Sequence, residues 1–561
     1  MRDSRRLSPP RSAAPRWGAV ALAVALTWIV GYPLLLTLLE ALGIPSAPTL
    51  AHFAAFAERS DEWLALWRSL WISGASVVLA AAIGVPLAFV FERLEFPGRS
   101  ILGGLVALPV ALPPLVGVLA FLFLYGESGF LTRSVQYLLG LDGAPWRLRG
   151  AGAILLVHAY SMYVYFYLFT RAALTRLDPS MEEAAASLGA GRGTRLRRVV
   201  LPLLRPALAG AALLTFMTSL SSFSAPYIFG GGFRVMTTQI VASKLNGDIE
   251  AARVETVVLA LAAVTGLGAL LAFDRRRVAV VGGVRGLAPR RRTLESRRSR
   301  LLATALGWTL AVFLLLPHLT LALVSFVPPG TWTIEAVPPV LDLSNYIRLA
   351  SSVERLRPIV NSLWMAAVAT LGAVVIGFAA ARSAIRAGGR MGRLLETLVA
   401  LPWAIPGTVF AIALATAFSV SAPLAGRFVL IGTPVILPLA YLVRSLPLTA
   451  RSAFAGLRQF DGSLEEAAAS LGAGRWRTLR RVVLPMLRPA LAAGAGLAFI
   501  TALGDFVTSI VLYTYETRPI SIEILSNLRL QETGIASAYG VFLMIASALA
   551  FVLWSRKEAT S

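Results

Sequence analysis

The chain has 561 residues, among them no cysteine, three histidines and only two lysines, Lys244 and Lys557. Without cysteine there is no disulfide, no iron–sulfur cluster and no zinc–thiolate site. His52, His158 and His318 are scattered, without metal-ligand spacing, so no metal ligand is assigned. Neither lysine follows a G-x-x-x-x-G run, which excludes a phosphate-cradling P-loop in this chain. With no nucleophile–base pair either, the sequence does not read as an enzyme.

Charge is scarce as well. Charged residues make up 14% of the chain against 57% hydrophobic ones, and the mean hydropathy is +0.72. That is too apolar for a soluble domain of this length. A spanning helix needs about 20 predominantly apolar residues, and such runs recur throughout. One set lies near 18–42, 68–91, 101–125, 150–173, 206–229 and 252–273. A second lies near 301–327, 359–382, 394–418, 428–450, 489–513 and 536–555. The expected fold class is therefore all-α: a polytopic membrane protein of about twelve transmembrane helices. The first run follows basic residues as a signal peptide would, but it is too long for an h-region and reads as a retained span.

The net charge of +23 sits on alternate loops. Arg2, Arg5, Arg6, Arg11 and Arg16 occupy the first residues, and ten further arginines lie between Arg275 and Arg300. This is the positive-inside pattern, and it places both termini and the segment 274–300 in the cytoplasm. The partner of this charge is the lipid bilayer, not nucleic acid.

One segment occurs twice. Glu182 to Ala209 and Glu465 to Ala492 align without a gap, 283 positions apart, with 24 of 28 residues identical. A fixed-period repeat outranks other organisational signals, so the chain divides into a basic tail (1–17), a first half (18–273), an arginine-rich linker (274–300), a second half (301–556) and a short tail (557–561). Fainter pairs agree. Ser69-Leu70-Trp71 matches Ser362-Leu363-Trp364, and Leu108 to Pro113 (LPVALP) matches Leu401 to Pro406 (LPWAIP), both at an offset of 293. The extra ten residues fall in the loop near 126–149.

In each copy the spacing of Ser180 to Glu183, and of Ser463 to Glu466, predicts a capping box opening a short helix. Gly189 and Gly472 stand where such a helix ends in a left-handed residue. A second amphipathic stretch then runs to Pro202, and Pro206 is expected to open the fifth span. The product is helix, glycine elbow and helix within the loops 174–205 and 451–488, an element shaped to dock.

Glu183-Ala184-Ala185, Gly189 and Val199-Val200-Leu201-Pro202, repeated as Glu466-Ala467-Ala468, Gly472 and Val482-Val483-Leu484-Pro485, resemble the EAA signature of bacterial ABC importer permeases. The resemblance covers essentially the whole chain. It implies the type I importer permease fold, a bacterial inner-membrane location, and coupling of the EAA loops to two separate ATP-binding cassette subunits that use ATP and Mg. It also implies a periplasmic or extracellular solute-binding protein as partner. Fused two-half permeases of this size resemble the ferric-iron importers, with thiamine permeases as close relatives. Ser221 to Ile240 and Arg518 to Leu525 resemble segments of the ferric group, so ferric iron is the expected cargo. Thiamine, an aminophosphonate, a polyamine or an oxyanion on the same machinery is the alternative. A twelve-span secondary transporter is more remote, because the doubled loop and the shortage of buried ionisable residues disfavour it.

Candidate pathway residues are the matched prolines Pro109, Pro113, Pro402 and Pro406, which break the third span of each half, together with Asp505 and the equivalent Ser222. Broken backbone at membrane depth is tolerated where it is buried or lines a cavity. A carboxylate within an apolar run faces a cavity or a partner, so Asp505 is expected to help a cation or an amine through.

Overall fold

The computed structural model describes residues 16–44, 47–275, 292–293, 296–332, 335–419 and 428–559. Residues 1–15 of the basic tail, 276–291 of the linker and 560–561 lie outside the described residues. The described chain is helical, apart from a two-residue parallel pairing of Leu94–Glu95 with Arg292–Thr293.

Ten helices among the described residues are long and apolar enough to cross a membrane, or eleven if Gly389–Ala404 and Gly407–Ala417, bent by 111°, count as one span. This falls short of the expected twelve for an identifiable reason. The helix Ile436–Gln459 is long enough, and it begins and ends later than the expected 428–450, but Arg444, Arg451 and Arg458 lower its hydropathy. The run 101–125 is also not one helix. It divides into Arg99–Ala107, a tight turn at Leu108–Ala111 and a helix Pro114–Tyr125. Pro113 and Pro114 lack amide protons and cannot continue the preceding ladder.

The two halves repeat one another in three dimensions. Ser60–Arg93 packs along Gly150–Leu174, and Val353–Ala387 packs along Ile436–Gln459. Each contact closes on a glycine. A Cβ on Gly84 would lie 2.9 Å from the Tyr167 nitrogen, and one on Gly377 would lie 2.9 Å from the Ala450 nitrogen. The same correspondence places Ser69 Oγ 2.8 Å from the donating Met236 amide and Ser362 Oγ 2.8 Å from the donating Ile520 amide.

The first helix of each half crosses to the other half. Trp17–Ala41 packs on Val353–Ala387, Gly389–Ala404 and Gly407–Ala417, with Trp28 edge-on to Phe418 at 5.4 Å. Arg297–Ser325 packs on Arg99–Ala107 and Pro114–Tyr125. The halves are thus interlocked rather than laid side by side. Large apolar side chains such as Val78, Leu302, Leu306 and Leu371 remain exposed on the outer faces of these helices, the distribution expected of helices surrounded by lipid.

Candidate functional site

The repeated loops fold alike. The first forms a helix, Pro179–Ser187, and the second a helix, Ser463–Ser470. Their N-termini are not closed by the serines, as the capping-box spacing suggested. Asp178 Oδ1 accepts from the Ser180 amide at 2.9 Å, and Asp461 Oδ1 accepts from the Ser463 amide at 2.9 Å. An aspartate two residues earlier thus takes the role the serine would have had, and Pro179 follows it at the first helical position, where proline is tolerated. The C-termini close as expected. Gly189 and Gly472 have φ of +79° and +76°. The Gly189 amide donates to Ala186 and the Ala190 amide to Ala185, with the same bonds from Gly472 and Ala473 to Ala469 and Ala468. This is the Schellman arrangement, in which a left-handed residue satisfies the last carbonyls.

Neither proline after the loop opens a new helix. The chain runs as one helix from Arg192 to Leu220 and from Arg475 to Leu503, with a wide turn at Leu196–Val200 and Leu479–Val483. There the Leu201 amide donates to Leu196 and the Leu484 amide to Leu479, five residues back. The wider turn accommodates Pro202 and Pro206, or Pro485 and Pro489, without ending the helix.

Each loop helix is fastened to the bundle by its first glutamate. Glu182 pairs with Arg93, and Glu465 pairs with Arg386 at 2.6 Å and Arg382 at 3.2 Å. The signature glutamates Glu183 and Glu466 are exposed on the free face with Ala184 and Ala467, while Ala185 and Ala468 are half-buried. No residue of either helix is buried. Leu188 and Leu471, one residue before each glycine, are 87% and 88% exposed. Two short helices therefore present the same acidic, alanine and leucine surface at one end of the bundle.

A cavity of about 330 Å³ lies between the halves. Its wall brings together Pro109, Pro113, Pro402, Ser222 and Asp505, which the sequence placed in separate segments. Pro406 is not on the wall, but Gly407 beside it is. Asp505 is ion-paired with Arg444 at 2.9 Å, and it accepts from the Thr508 amide at 2.7 Å and the Thr508 hydroxyl at 3.1 Å. It therefore faces the cavity as half of a neutral pair that also caps the helix Val507–Leu512.

At the matching depth of the first half, Ser222 Oγ lies 2.9 Å from His158 Nε2, while His158 Nδ1 lies 2.9 Å from Ser76 Oγ and 3.1 Å from Ser219 Oγ. His158, His318 and Arg444 are wall residues that sequence reasoning missed. The signal that marks them is an ionisable side chain in an apolar run, the same one that marks Asp505. Five aromatic side chains, Tyr160, Tyr165, Phe223, Trp403 and Phe506, also line the cavity. Among the described residues, no group of three or more His, Asp or Glu side chains could hold a metal ion.

The chain matches the family described as binding-protein-dependent transport system inner membrane component over residues 80–277 and again over 373–555. It is similar to a probable ABC transporter permease, y4fN, of Sinorhizobium fredii, at 32% identity over 89% of each chain. It is similar to the ferric transport system permease FbpB of Actinobacillus pleuropneumoniae at 29% identity, over 85% of this chain and 68% of that protein. It is also similar to the thiamine transport system permease ThiP of Escherichia coli at 28% identity, over 80% of this chain and 82% of that one. With the family matched once in each of two structurally equivalent halves, this chain belongs to the binding-protein-dependent transport system inner membrane components and is a fused two-half ABC importer permease.

Proposed function

We propose that this chain forms the whole membrane pathway of an ATP-driven importer whose cargo is ferric iron. The observation that carries the coupling part is the pair of loop helices. They are alike in fold, fastened by equivalent ion pairs and unburied on their outer face. Each seats one ATP-binding cassette subunit, and the ATP and Mg belong to those subunits, because this chain contains no P-loop. The loop-helix end is cytoplasmic, as are both termini. A solute-binding protein delivers cargo at the opposite end.

Closure of the ATPase pair brings the loop helices together and rocks the halves as rigid bodies about the cavity. The cavity then opens to the binding protein, and hydrolysis resets it. The wide turns and unbroken helices from Arg192 and Arg475 give each loop a stiff lever into the membrane.

Ferric iron is supported by the likeness to the ferric permease and by the two segments Ser221–Ile240 and Arg518–Leu525. Since no metal-ligand cluster lies among the described residues, recognition of the ion rests with the binding protein. Thiamine is the second reading, favoured by the aromatic wall of the cavity and by the likeness to a thiamine permease.

Uptake of radioactive ferric iron by iron-starved cells with and without the gene, with labelled thiamine in parallel, tests the cargo. Loss of energy-dependent iron uptake, restored by the gene, is the expected result. Unchanged iron uptake with lost thiamine uptake moves the cargo to thiamine.

A further inference from the structure

Glu62 and Glu255 are the most deeply buried acidic residues among those described, at 1% and 0% exposure. Glu62 lies in the first turn of Ser60–Arg93, and Glu255 lies near the start of Ile249–Ala269. Their side chains are held side by side by two residues one turn apart on a single short helix. One oxygen of each is already satisfied: Gln239 Nε2 donates to Glu62 Oε1 at 3.1 Å, and Ser243 Oγ donates to Glu255 Oε1 at 2.6 Å. Both donors come from the short helix Met236–Leu245 that covers the pair. The other oxygen of each, Oε2, is buried and receives no donor.

The surrounding cations are committed elsewhere. Arg59 lies 4.0 Å from Asp248, and Arg253 lies 2.6 Å from Glu40 and 4.0 Å from Glu250. His52 lies 3.0 Å from Glu250, Arg234 donates to Gln239 Oε1 at 3.4 Å, and Arg68 donates to the Gly232 carbonyl at 3.2 Å. Lys244 donates to the Val511 carbonyl of the second half. The helix Gly407–Ala417, which also packs here, carries no ionisable side chain.

Two buried carboxylates held side by side without a cation resist ionising together near neutral pH, and a proton on one of them lets it donate to the other. We infer that Glu62 and Glu255 form a proton-binding site, with one proton held between their Oε2 atoms and the single remaining charge stabilised by Gln239 and Ser243. Loading takes one proton from water and leaves the pair singly negative, whereas unloading releases it and leaves two facing carboxylates.

Among the described residues the second half has no such site. Arg355 stands 293 positions after Glu62 and pairs with Glu532 at 3.6 Å, and Ala538 stands 283 positions after Glu255. The pair lies at the end of the bundle opposite the loop helices, since the helix that begins beside Glu62 ends at Arg93 on Glu182. If the import reading holds, that end faces outside, and the proton comes from the external medium. The covering helix continues through Lys244 to Val511 of the other half. An occupied site therefore clamps the two halves at this end, and an empty one pushes apart the helices that the clamp rests on.

The test is infrared difference spectroscopy on the complete complex in nanodiscs, comparing wild type with Glu255→Gln and, separately, with Glu62→Gln. The expected result is a protonated-carboxyl band at neutral pH that shifts in heavy water, is absent from both variants, and disappears from wild type as pH is raised. Absence of that band at neutral pH overturns the proposal. So does a band that emerges only after calcium is chelated, which would make the occupant a metal ion. Because the band is read without transport, it fails or stands independently of the import reading. The clamp is tested on the same sample with spin labels on cysteines introduced at Asn246 and Tyr513, which the cysteine-free chain permits without background. The label distance should lengthen as the band is lost, and a distance unchanged through that titration overturns the clamp.

Discussion

Glu465 and Arg386 form an ion pair of 2.6 Å that ties the second loop helix to the end of a membrane-crossing helix, and Glu182 and Arg93 form its counterpart in the first half. The residue that anchors each loop is thus the glutamate just before the signature Glu-Ala-Ala, which leaves the signature glutamates free on the outer face. One glutamate of each pair is thus anchored while its neighbour faces outward.

Arg386→Ala should therefore disturb coupling more than stability. Pairs of this exposure contribute about 0–1 kcal/mol, so thermal unfolding should change little. ATP-dependent uptake should fall measurably, because Glu465 keeps only its 3.2 Å pair with Arg382 and the loop helix is held less firmly. Thermal unfolding and uptake measured on one preparation separate the two effects.

Close packing between matched helices is tested at Gly84. An added methyl there would collide with the Tyr163 carbonyl oxygen, so Gly84→Ala must shift a helix. Overpacking of this kind costs about 1–3 kcal/mol. A comparable loss is expected for Gly377→Ala, whose Cβ would lie 2.6 Å from Thr449 Oγ1. Unfolding of the two variants side by side tests whether the halves are energetically equivalent.

Much of this architecture was legible in the sequence, and the misses have physical causes. The two halves, the loop helices and the glycine elbows followed from a repeat whose backbone demands are local. The shortfall from twelve apolar spans arose because Ile436–Gln459 carries three arginines, so its hydropathy understates its position in the bundle. The capping box failed because an aspartate two residues before each serine is the stronger local acceptor for that serine's amide. The pathway prolines converged on one cavity, except Pro406, but the partners that define its polarity, Arg444 for Asp505 and His158 for Ser222, come from other helices. A single sequence carries no signal for such pairing across helices, and the crossing of each half's first helix to the other half is equally non-local.

The cavity pair gives a sharper prediction. Asp505→Asn leaves the Arg444 guanidinium without its carboxylate at a largely buried site, and breaking a buried pair from one side costs about 3–5 kcal/mol. The variant should be markedly less stable, whereas Asp505→Asn combined with Arg444→Gln should recover part of the loss. Denaturation of the single and double variants measures the coupling between the two residues.

The second loop helix also has a pH signature. Asp461 is held below the usual carboxylate range by the hydrogen bonds it accepts from Ser463. A depressed carboxylate supports the helix above its unfolded pKa, and that support is lost as pH falls through its lower folded value. Amide exchange at 463–466 should therefore gain an extra acceleration only at acid pH, and Asp461→Ala should lose protection at neutral pH.

In the proposed function, two loop helices couple separate ATPase subunits to one membrane pathway. Both elbows turn on a left-handed glycine, a conformation that proline, locked near φ −65°, cannot adopt, and neither loop helix has a buried residue to supplement its glutamate anchor. The most direct test is ATP-dependent uptake of radioactive ferric iron, delivered by the binding protein into proteoliposomes that contain the complete complex, with wild type compared against the variant carrying both Gly189→Pro and Gly472→Pro. The wild type should take up iron robustly and the variant almost none, with both ATPase subunits still hydrolysing ATP. Uptake by the doubled variant at the wild-type rate would show that the glycine elbows do not couple ATP hydrolysis to transport.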